Sequence, residues 1–583
     1  MILVSRSFKG ILAIAALASL IFFADGALGK SPPAEGKLLD RALTAISRHY
    51  VEPSRINPKA MLDGALDQMQ RRIPEILVTD RESGQLAVTV GLASKRVKAS
   101  PMSSLTDLSR TMHEVLAFVV PHYSGDTDTP PEDIEYAAID GMLEALDPHS
   151  NFMPPKVYNE FRVGTTGKFG GLGIVISIKD GMLTVIAPIE GTPASRAGIK
   201  AGDRIMQIDE ESTINMSLTD AVNKLRGDVG TKVTIVVERP GGPARKISLE
   251  RAVINIDSVQ HSLLAGEDKR IGYIKIKSFQ DNTDDDVRTA LKDLHKDGAA
   301  LDGLILDMRN NPGGLLNIAS DVVDEFLRKG IIVSTVGPRE QVVDQSVAHA
   351  GGTEPDYPIV VLINEGSASA SEIVAGALAA NDRAITMGQR SFGKGSVQTL
   401  FDLGDDAALK LTIAQYEPAG TVNIQLVGIT PDIELLPKTV DPAAMNIVEN
   451  ETTREQDLEK HLDNSLPAES GLKTLPNSTF KVSFLQPKED EKKSEERSLK
   501  EYSKAPDLTG DFAVELARTL IAKAGMPVRK EMLSGAGPVI KEAEAAQQAL
   551  IDGALKAQGI DWASIPASGA PKLSLAYHVF KGK

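Results

Sequence analysis

Asn364-Glu-Gly-Ser-Ala-Ser-Ala-Ser-Glu-Ile-Val-Ala-Gly-Ala-Leu378 is the stretch on which the reading of this chain turns. The apolar run before it, Ile359–Ile363, has strand character. The small residues from Gly366 to Ala370 suit a tight turn, and the apolar residues from Ile373 onward continue as a helix. A serine at such a junction lies at the positive end of the helix, where unpaired backbone N–H groups can stabilise an oxyanion. The same residues also meet a plainer need, because Ser369 and Glu372 form the S-x-x-E pattern of a capping box, which requires no catalysis. Taken alone, the segment reads more simply as a cap.

Strands and helices alternate around it. Gly272–Phe279 and Leu301–Met308 are strand-like, with an amphipathic helix over Asp284–His295 between them. A helix over Leu315–Leu327 follows, then strand-like Ile331–Val336. That order predicts an α/β layered structure. Strand-like Ala384–Met387 runs into Gly388-Gln-Arg-Ser-Phe-Gly-Lys-Gly-Ser-Val-Gln-Thr-Leu400, which sets Lys394 between two glycines with Gln398 after it. Upstream, Asp307-Met-Arg-Asn-Asn-Pro-Gly-Gly314 ends a strand in a turn able to aim N–H groups inward.

Residues 168–251 differ in character, with short β-rich runs separated by Gly-rich turns. They contain Phe169-Gly-Gly-Leu-Gly-Ile174, Gly191-Thr-Pro-Ala-Ser-Arg-Ala-Gly-Ile199 and Ala201-Gly-Asp-Arg-Ile-Met-Gln-Ile208. A turn of small residues (Gly171, Leu172, Gly173, Ile174) can present consecutive N–H groups to a carboxylate, and the strand after it offers an edge to an extended peptide. A free C-terminus supplies both. The segment resembles a PDZ domain. Arg226, in Leu225-Arg-Gly227, is a candidate for carrying a signal from ligand to enzyme, or is a surface arginine at a helix end.

Together the segments from Glu135-Tyr-Ala-Ala-Ile-Asp-Gly-Met-Leu-Glu-Ala-Leu-Asp-Pro-His-Ser150 to Leu436 resemble the C-terminal processing peptidases, Ser/Lys-dependent tail-specific proteases that carry one PDZ domain. The resemblance implies that Ser369 is the nucleophile, Lys394 the base and Gln398 the residue that hydrogen-bonds and orients the amine. Oxyanion donors would come from Ala370 N–H and from Gly313 or Gly314, between which the sequence does not choose. A lysine serves as a base only when neutral, so its pKa must fall from about 10.4 to roughly 7–8 through burial. No Asp or Glu lies within three residues of Lys394 to hold its charge.

Composition narrows the alternatives. With 42% hydrophobic and 25% charged residues, 49 Gly and 32 Pro among 583 residues, the chain matches neither a collagen, a disordered protein nor a polytopic membrane protein. A net charge of −15 disfavours nucleic acid as a partner. No cysteine is present, which removes disulfides, cysteine nucleophiles and thiolate metal sites. The 9 histidines, among them His122, His149, His261 and His349, are scattered singly and form no His-Glu-x-x-His, so no metal or cofactor is expected. A trypsin-like protease would need a Gly-x-Ser-x-Gly elbow, and the context of Ser369 differs.

Arg6 and Lys9 precede the uncharged run Gly10–Ala24 and the small residues Ala27-Leu28-Gly29, the pattern of a secretory signal. Export to a bacterial periplasm is expected, with a membrane anchor as the outcome of an uncleaved signal. The expected fold class is α+β multidomain. Residues 1–29 are the signal, 30–160 an N-terminal helical domain, 161–255 the inserted PDZ domain and 256–440 an α/β, crotonase-like peptidase core. Residues 441–583 form a helical C-terminal extension with a charged linker near 485–505. Helices are expected at Phe512–Ala524 and Ile540–Lys556, and no chemistry is assigned to them. The partners expected are protein or peptide substrates with exposed C-termini, further copies of the chain through its helical flanks, and an adaptor protein. The rival reading is a catalytically inactive PDZ scaffold on a protease-like body.

Overall fold

The computed structural model describes residues 36–560 apart from 125–128, 265–268, 297, 339–340, 441–444, 446–451, 464–476 and 487–505. The N-terminal signal and most of the charged linker lie outside the described residues. Among the described residues no helix is long and apolar enough to cross a membrane.

The N-terminal part is built on helices Lys37–His49, Pro58–Arg72, Leu105–His122 and Glu132–Glu144. Asn57 starts the second of these by accepting the N–H groups of Lys59 and Ala60. That helix crosses Glu132–Glu144 so closely that a Cβ on Gly64 would lie 2.2 Å from the Gly141 carbonyl oxygen, which only glycine avoids. The region is not wholly helical. A three-stranded antiparallel meander, Ile76–Thr79, Gln85–Val90 and Ala93–Lys98, packs Leu86, Val88 and Val90 into the same core. Their alternation is a strand period, which the helical spacing on either side hides.

An antiparallel pair, Lys168–Gly171 against Ala252–Asn255, forms the neck through which the chain leaves and re-enters the body. Between these strands lies a separate antiparallel sheet, with Ile174–Lys179 at one edge, then Met182–Pro188, Arg204–Ile208, Lys232–Glu238 and Ala244–Glu250. Its own core includes Leu183, Val185, Ile205, Ile235 and Val237. The helix Leu218–Leu225, capped by Ser217, lies beside the edge strand.

The body carries a seven-stranded sheet in the order Val259–Leu264, Ile271–Ile276, Gly303–Asp307, Ile359–Ile363, Ile385–Gly388, Ile433–Lys438 and Phe480–Leu485. Only the first pair is antiparallel. A parallel sheet is stable when both faces are covered, and the strands here are apolar on both sides. Leu304, Leu306, Val361 and Ile363 face helices Thr283–Leu294, Leu316–Asp324 and Ala370–Ala380. Ile305, Val360, Leu362, Ile385 and Met387 face helices Phe512–Ala524 and Arg529–Ala557. The C-terminal region therefore does more than add two helices. It supplies the last strand and the whole second layer, a role that its local sequence does not announce. A second sheet, with Ser396–Gly404 paired to Ala407–Pro418, lies beside the first and also takes up Asn151–Met153 from the N-terminal part.

Candidate active site

Three adjacent parallel strands, Gly303–Asp307, Ile359–Ile363 and Ile385–Gly388, end at the same edge of the sheet. The turns after them carry Gly313 and Gly314, Ser369, and Lys394 respectively, so strand order brings together residues that lie far apart in sequence. The carboxyl edge of parallel strands is where open α/β sheets place their ligands. The turns are laced together. Asn364 Nδ2 donates to Asn310 Oδ1 at 2.8 Å, Ser367 Oγ to the Met308 carbonyl at 2.8 Å, and Ser371 Oγ to the Asn311 carbonyl at 2.9 Å. Phe392 N–H donates to the Ser367 carbonyl at 3.0 Å.

Ser369 heads the helix Ala370–Ala380, which is buried along almost its whole length. One half of the capping box that the sequence suggests forms: the Ser369 hydroxyl makes no cap hydrogen bond, while Glu372 Oε2 accepts from Ser369 N–H at 2.8 Å. It is only part of what Glu372 does. The same oxygen accepts from Lys394 N–H at 2.9 Å, while Oε1 accepts from Gly393 N–H at 2.7 Å and from Ser391 Oγ at 2.5 Å. Burial pushes this carboxyl up to about 7, against the pull of those donors. Ser369 itself has φ 54° and ψ −113°, outside the extended conformation usual for an N-cap. Such strain persists only where surrounding contacts dictate it.

The Lys394 amine is held down at about 8, first by burial and then by the nearby Lys410 ammonium. The acidic groups that act on it, Glu455, Asp147 and Glu372, all come from distant parts of the chain. The residues next to Lys394 in sequence give no sign of them. Lys394 and Ser369 are joined through Glu372 and the backbone, and their side chains make no hydrogen bond to each other in this conformation.

Gln398 departs from expectation. Its Nε2 donates to Ser396 Oγ at 2.9 Å and to Thr412 Oγ1 at 3.3 Å, and it makes no hydrogen bond to Lys394. The strand register accounts for this, because Gln398 lies opposite Thr412. Thr412 Oγ1 passes the network on to Asp147 at 2.9 Å.

Of the two candidate glycines, Gly313 lies against the Ser369 turn. A Cβ there would sit 2.9 Å from Ser369 Cβ and 3.0 Å from Ala370 N. Its N–H donates to Asn311 Oδ1 at 2.9 Å. Gly314 instead abuts Phe279, with which it forms a bridge. Arg309, on the same turn, is held by Asp307 at 2.6 Å and Asp511 at 2.7 Å.

In the inserted module, Gly171, Leu172, Gly173 and Ile174 line a cavity of about 550 Å³ between the edge strand and the helix Leu218–Leu225. The Arg226 guanidinium lies 4.5 Å from the centre of the Phe169 ring and lines the same groove. Arg226 thus packs on Phe169 at the wall of the groove. Asn255, Asp257 and Lys277, from the neck and the body, close the groove's far side.

Comparison with known proteins gives the same division. Residues 270–435 match peptidase family S41, and residues 184–239 match the PDZ domain. The chain is 44% identical over 300 residues to the carboxy-terminal-processing protease of Bartonella bacilliformis, covering 51% of this chain and 68% of that one. It is 39% identical to the carboxyl-terminal-processing protease of a Synechocystis species, covering 51% of this chain and 70% of the other. Among solved structures, the photosystem II D1 C-terminal processing protease is similar at 28% identity, covering 69% of this chain and 93% of that one with a TM-score of 0.37. Paired with an inserted PDZ module and a serine at a strand-to-helix turn, these identities make the chain a serine-type peptidase that belongs to the carboxyl-terminal-processing proteases of peptidase family S41.

Proposed function

We propose that this chain is an exported endopeptidase that captures a substrate's C-terminal tail in its PDZ groove and cleaves near that end with Ser369 and Lys394. The observation that carries the dyad is the Glu372 carboxylate, one oxygen of which accepts the backbone N–H of both residues. Ser369 Oγ attacks the scissile carbonyl while neutral Lys394 takes its proton and returns it to the leaving amine, and water then hydrolyses the acyl-enzyme. Rotation of the lysine side chain closes the remaining gap, as is common when catalytic hydrogen bonds tighten only around substrate.

Ala370 N–H, at the open end of its helix, is the first oxyanion donor. The second comes from the Pro312-Gly-Gly turn. The closeness of Gly313 to Ala370 favours Gly313, once its peptide turns away from Asn311. Gln398 supports the lysine indirectly, through Thr412 and Asp147, both of which it reaches by hydrogen bonds.

Export rests on the basic and apolar pattern of residues 6–29, and a periplasmic location goes with it. The open edge of Ile174–Lys179 and the small-residue turn before it support capture of an extended tail by its carboxylate. The decisive experiment incubates the purified protein and its Ser369→Ala and Lys394→Arg variants with a folded reporter bearing an apolar C-terminal tail. Cleavage by the parent alone supports the dyad, and cleavage by either variant overturns it.

A further inference from the structure

We propose that Glu455, which lies beyond the peptidase match, is a positioning residue that fixes the catalytic lysine's loop and sets the electrostatic field around it. The inference rests on the reading of Lys394 as the base.

Glu455 is fully buried and opens a single turn of 3-10 helix, Glu455–Asp457. A buried carboxylate is costly unless it is paired and hydrogen-bonded, and this one is tied on every side. Its own N–H donates to the Phe392 carbonyl at 3.2 Å. Its carboxylate faces His149 Nε2 at 2.8 and 2.9 Å and accepts from Gln425 Nε2 at 3.1 Å. Gln425 Oε1 in turn accepts from Gly395 N–H at 2.8 Å.

Lys394 is therefore gripped from both sides. Glu372 holds the N–H groups of Gly393 and Lys394, and Glu455 holds Phe392 directly and Gly395 through Gln425. The segment carrying Glu455 is anchored in turn to the N-terminal helices. Arg55 donates to the carbonyls of Lys460 at 2.9 Å and His461 at 2.8 Å, and Leu462 is buried in the N-terminal core. A strap from the C-terminal region thus joins the N-terminal part to the lysine loop.

The charge matters as well as the geometry. The charged groups that act most strongly on the Lys394 amine are Lys410, Glu455, Asp147 and Glu372. Among the described residues, the only charged or titratable group bonded to the Glu455 carboxylate is His149. An anion beside the amine favours its protonated form, so removing that anion makes the lysine easier to deprotonate.

The test measures peptidase activity of the full-length protein against pH for Glu455→Gln, Glu455→Asp and His149→Ala, with Lys394→Ala in parallel and circular dichroism as the fold control. Glu455→Gln should lower kcat on the order of 10- to 100-fold through loss of loop register, leave KM within about twofold, and move the rising limb of the profile to lower pH. Glu455→Asp restores the charge and should return the limb toward the parent's position even where kcat stays low. His149→Ala removes a hydrogen-bond partner that holds the Glu455 carboxylate in place and should lower kcat with KM within about twofold, so the proposal remains testable where the glutamine variant does not fold. Profiles that superimpose on the parent's in both Glu455→Gln and His149→Ala would overturn it. Activity retained by Lys394→Ala would instead overturn the lysine-base reading beneath it, whatever Glu455 does.

Discussion

Ser369 and Lys394 share one hydrogen-bond acceptor, because Glu372 Oε2 takes the backbone N–H of the first at 2.8 Å and of the second at 2.9 Å. The Ser369 turn and the Lys394 loop are therefore registered to each other before either side chain moves. Preorganisation of this kind is what converts a reaction between separate groups into an effectively unimolecular one.

Substituting Glu372 should expose that dependence. Glutamine has one acceptor oxygen where four donors now converge, and its amide group would face N–H groups. Leaving buried donors unpaired costs about 1–3 kcal/mol each. Glu372→Gln should therefore lower both the thermal midpoint and kcat, measured on the same preparation. The folded carboxyl is raised from 4.5 to about 7, so its contribution to stability is full below pH 4.5 and is lost as pH rises through 7. In the parent this group should make the thermal midpoint fall across that window, and in Glu372→Gln the component should vanish.

Ser369→Ala should reduce kcat by at least about 10⁴-fold, the scale seen when a serine nucleophile is removed. The thermal midpoint should change little, since alanine meets the same positive φ as serine. Peptide cleavage followed by mass spectrometry, with calorimetry on the same samples, separates the two effects.

The lysine base predicts a pH profile with a definite sign. With the amine held at about 8, the rate below that pH should fall about tenfold per unit as the base becomes protonated, and level off above it. Lys410 is the neighbouring cation that helps to hold the amine down. Lys410→Met keeps the length and removes the charge, so the limb should move to higher pH. A limb that stays fixed or moves downward would exclude Lys410 from this role.

The sequence disclosed the chemistry unevenly, for physical reasons. The turns that carry Ser369, Lys394 and Gly313-Gly314 were legible as turns because each lies in a short run of small residues just after a strand. The roles proposed for them rest on the resemblance to the C-terminal processing peptidases. Glu372 was visible only as a cap, since its other three donors come from residues 391–394, brought in by the order of strands. Asp147 and Glu455 were invisible for the same reason. The N-terminal meander was missed because its alternation is short and flanked by strong helical spacing. The second layer of helices was legible as helices, yet nothing local says which face of the sheet they cover.

In the PDZ module, Gly173 has φ 73° and a Cβ there would lie 2.3 Å from Thr192 Cβ. Gly173→Val should therefore distort the turn proposed to meet a carboxylate, and should weaken binding of a fluorescent tail peptide at least about tenfold by anisotropy. Amidating that peptide's C-terminus should weaken its binding to the parent by a similar factor. Equal binding of acid and amide would mean that the groove does not recognise chain ends.

Asp511 links the second helical layer to the turn proposed to supply an oxyanion donor. It caps the helix Phe512–Ala524 through the Val514 N–H at 3.2 Å and also pairs with Arg309 at 2.7 Å. The two roles can be separated, because asparagine caps a helix as well as aspartate but carries no charge. Asp511→Ala loses both and should destabilise the protein by about 1 kcal/mol more than Asp511→Asn, measured by urea unfolding. Both variants release Arg309 from its outer partner while leaving it on Asp307, so both should lower kcat to a similar extent at unchanged KM, the pattern of an interaction felt only in the transition state. A loss of kcat confined to the alanine variant would assign the effect to the helix cap, and the ion pair would then have no part in holding the turn.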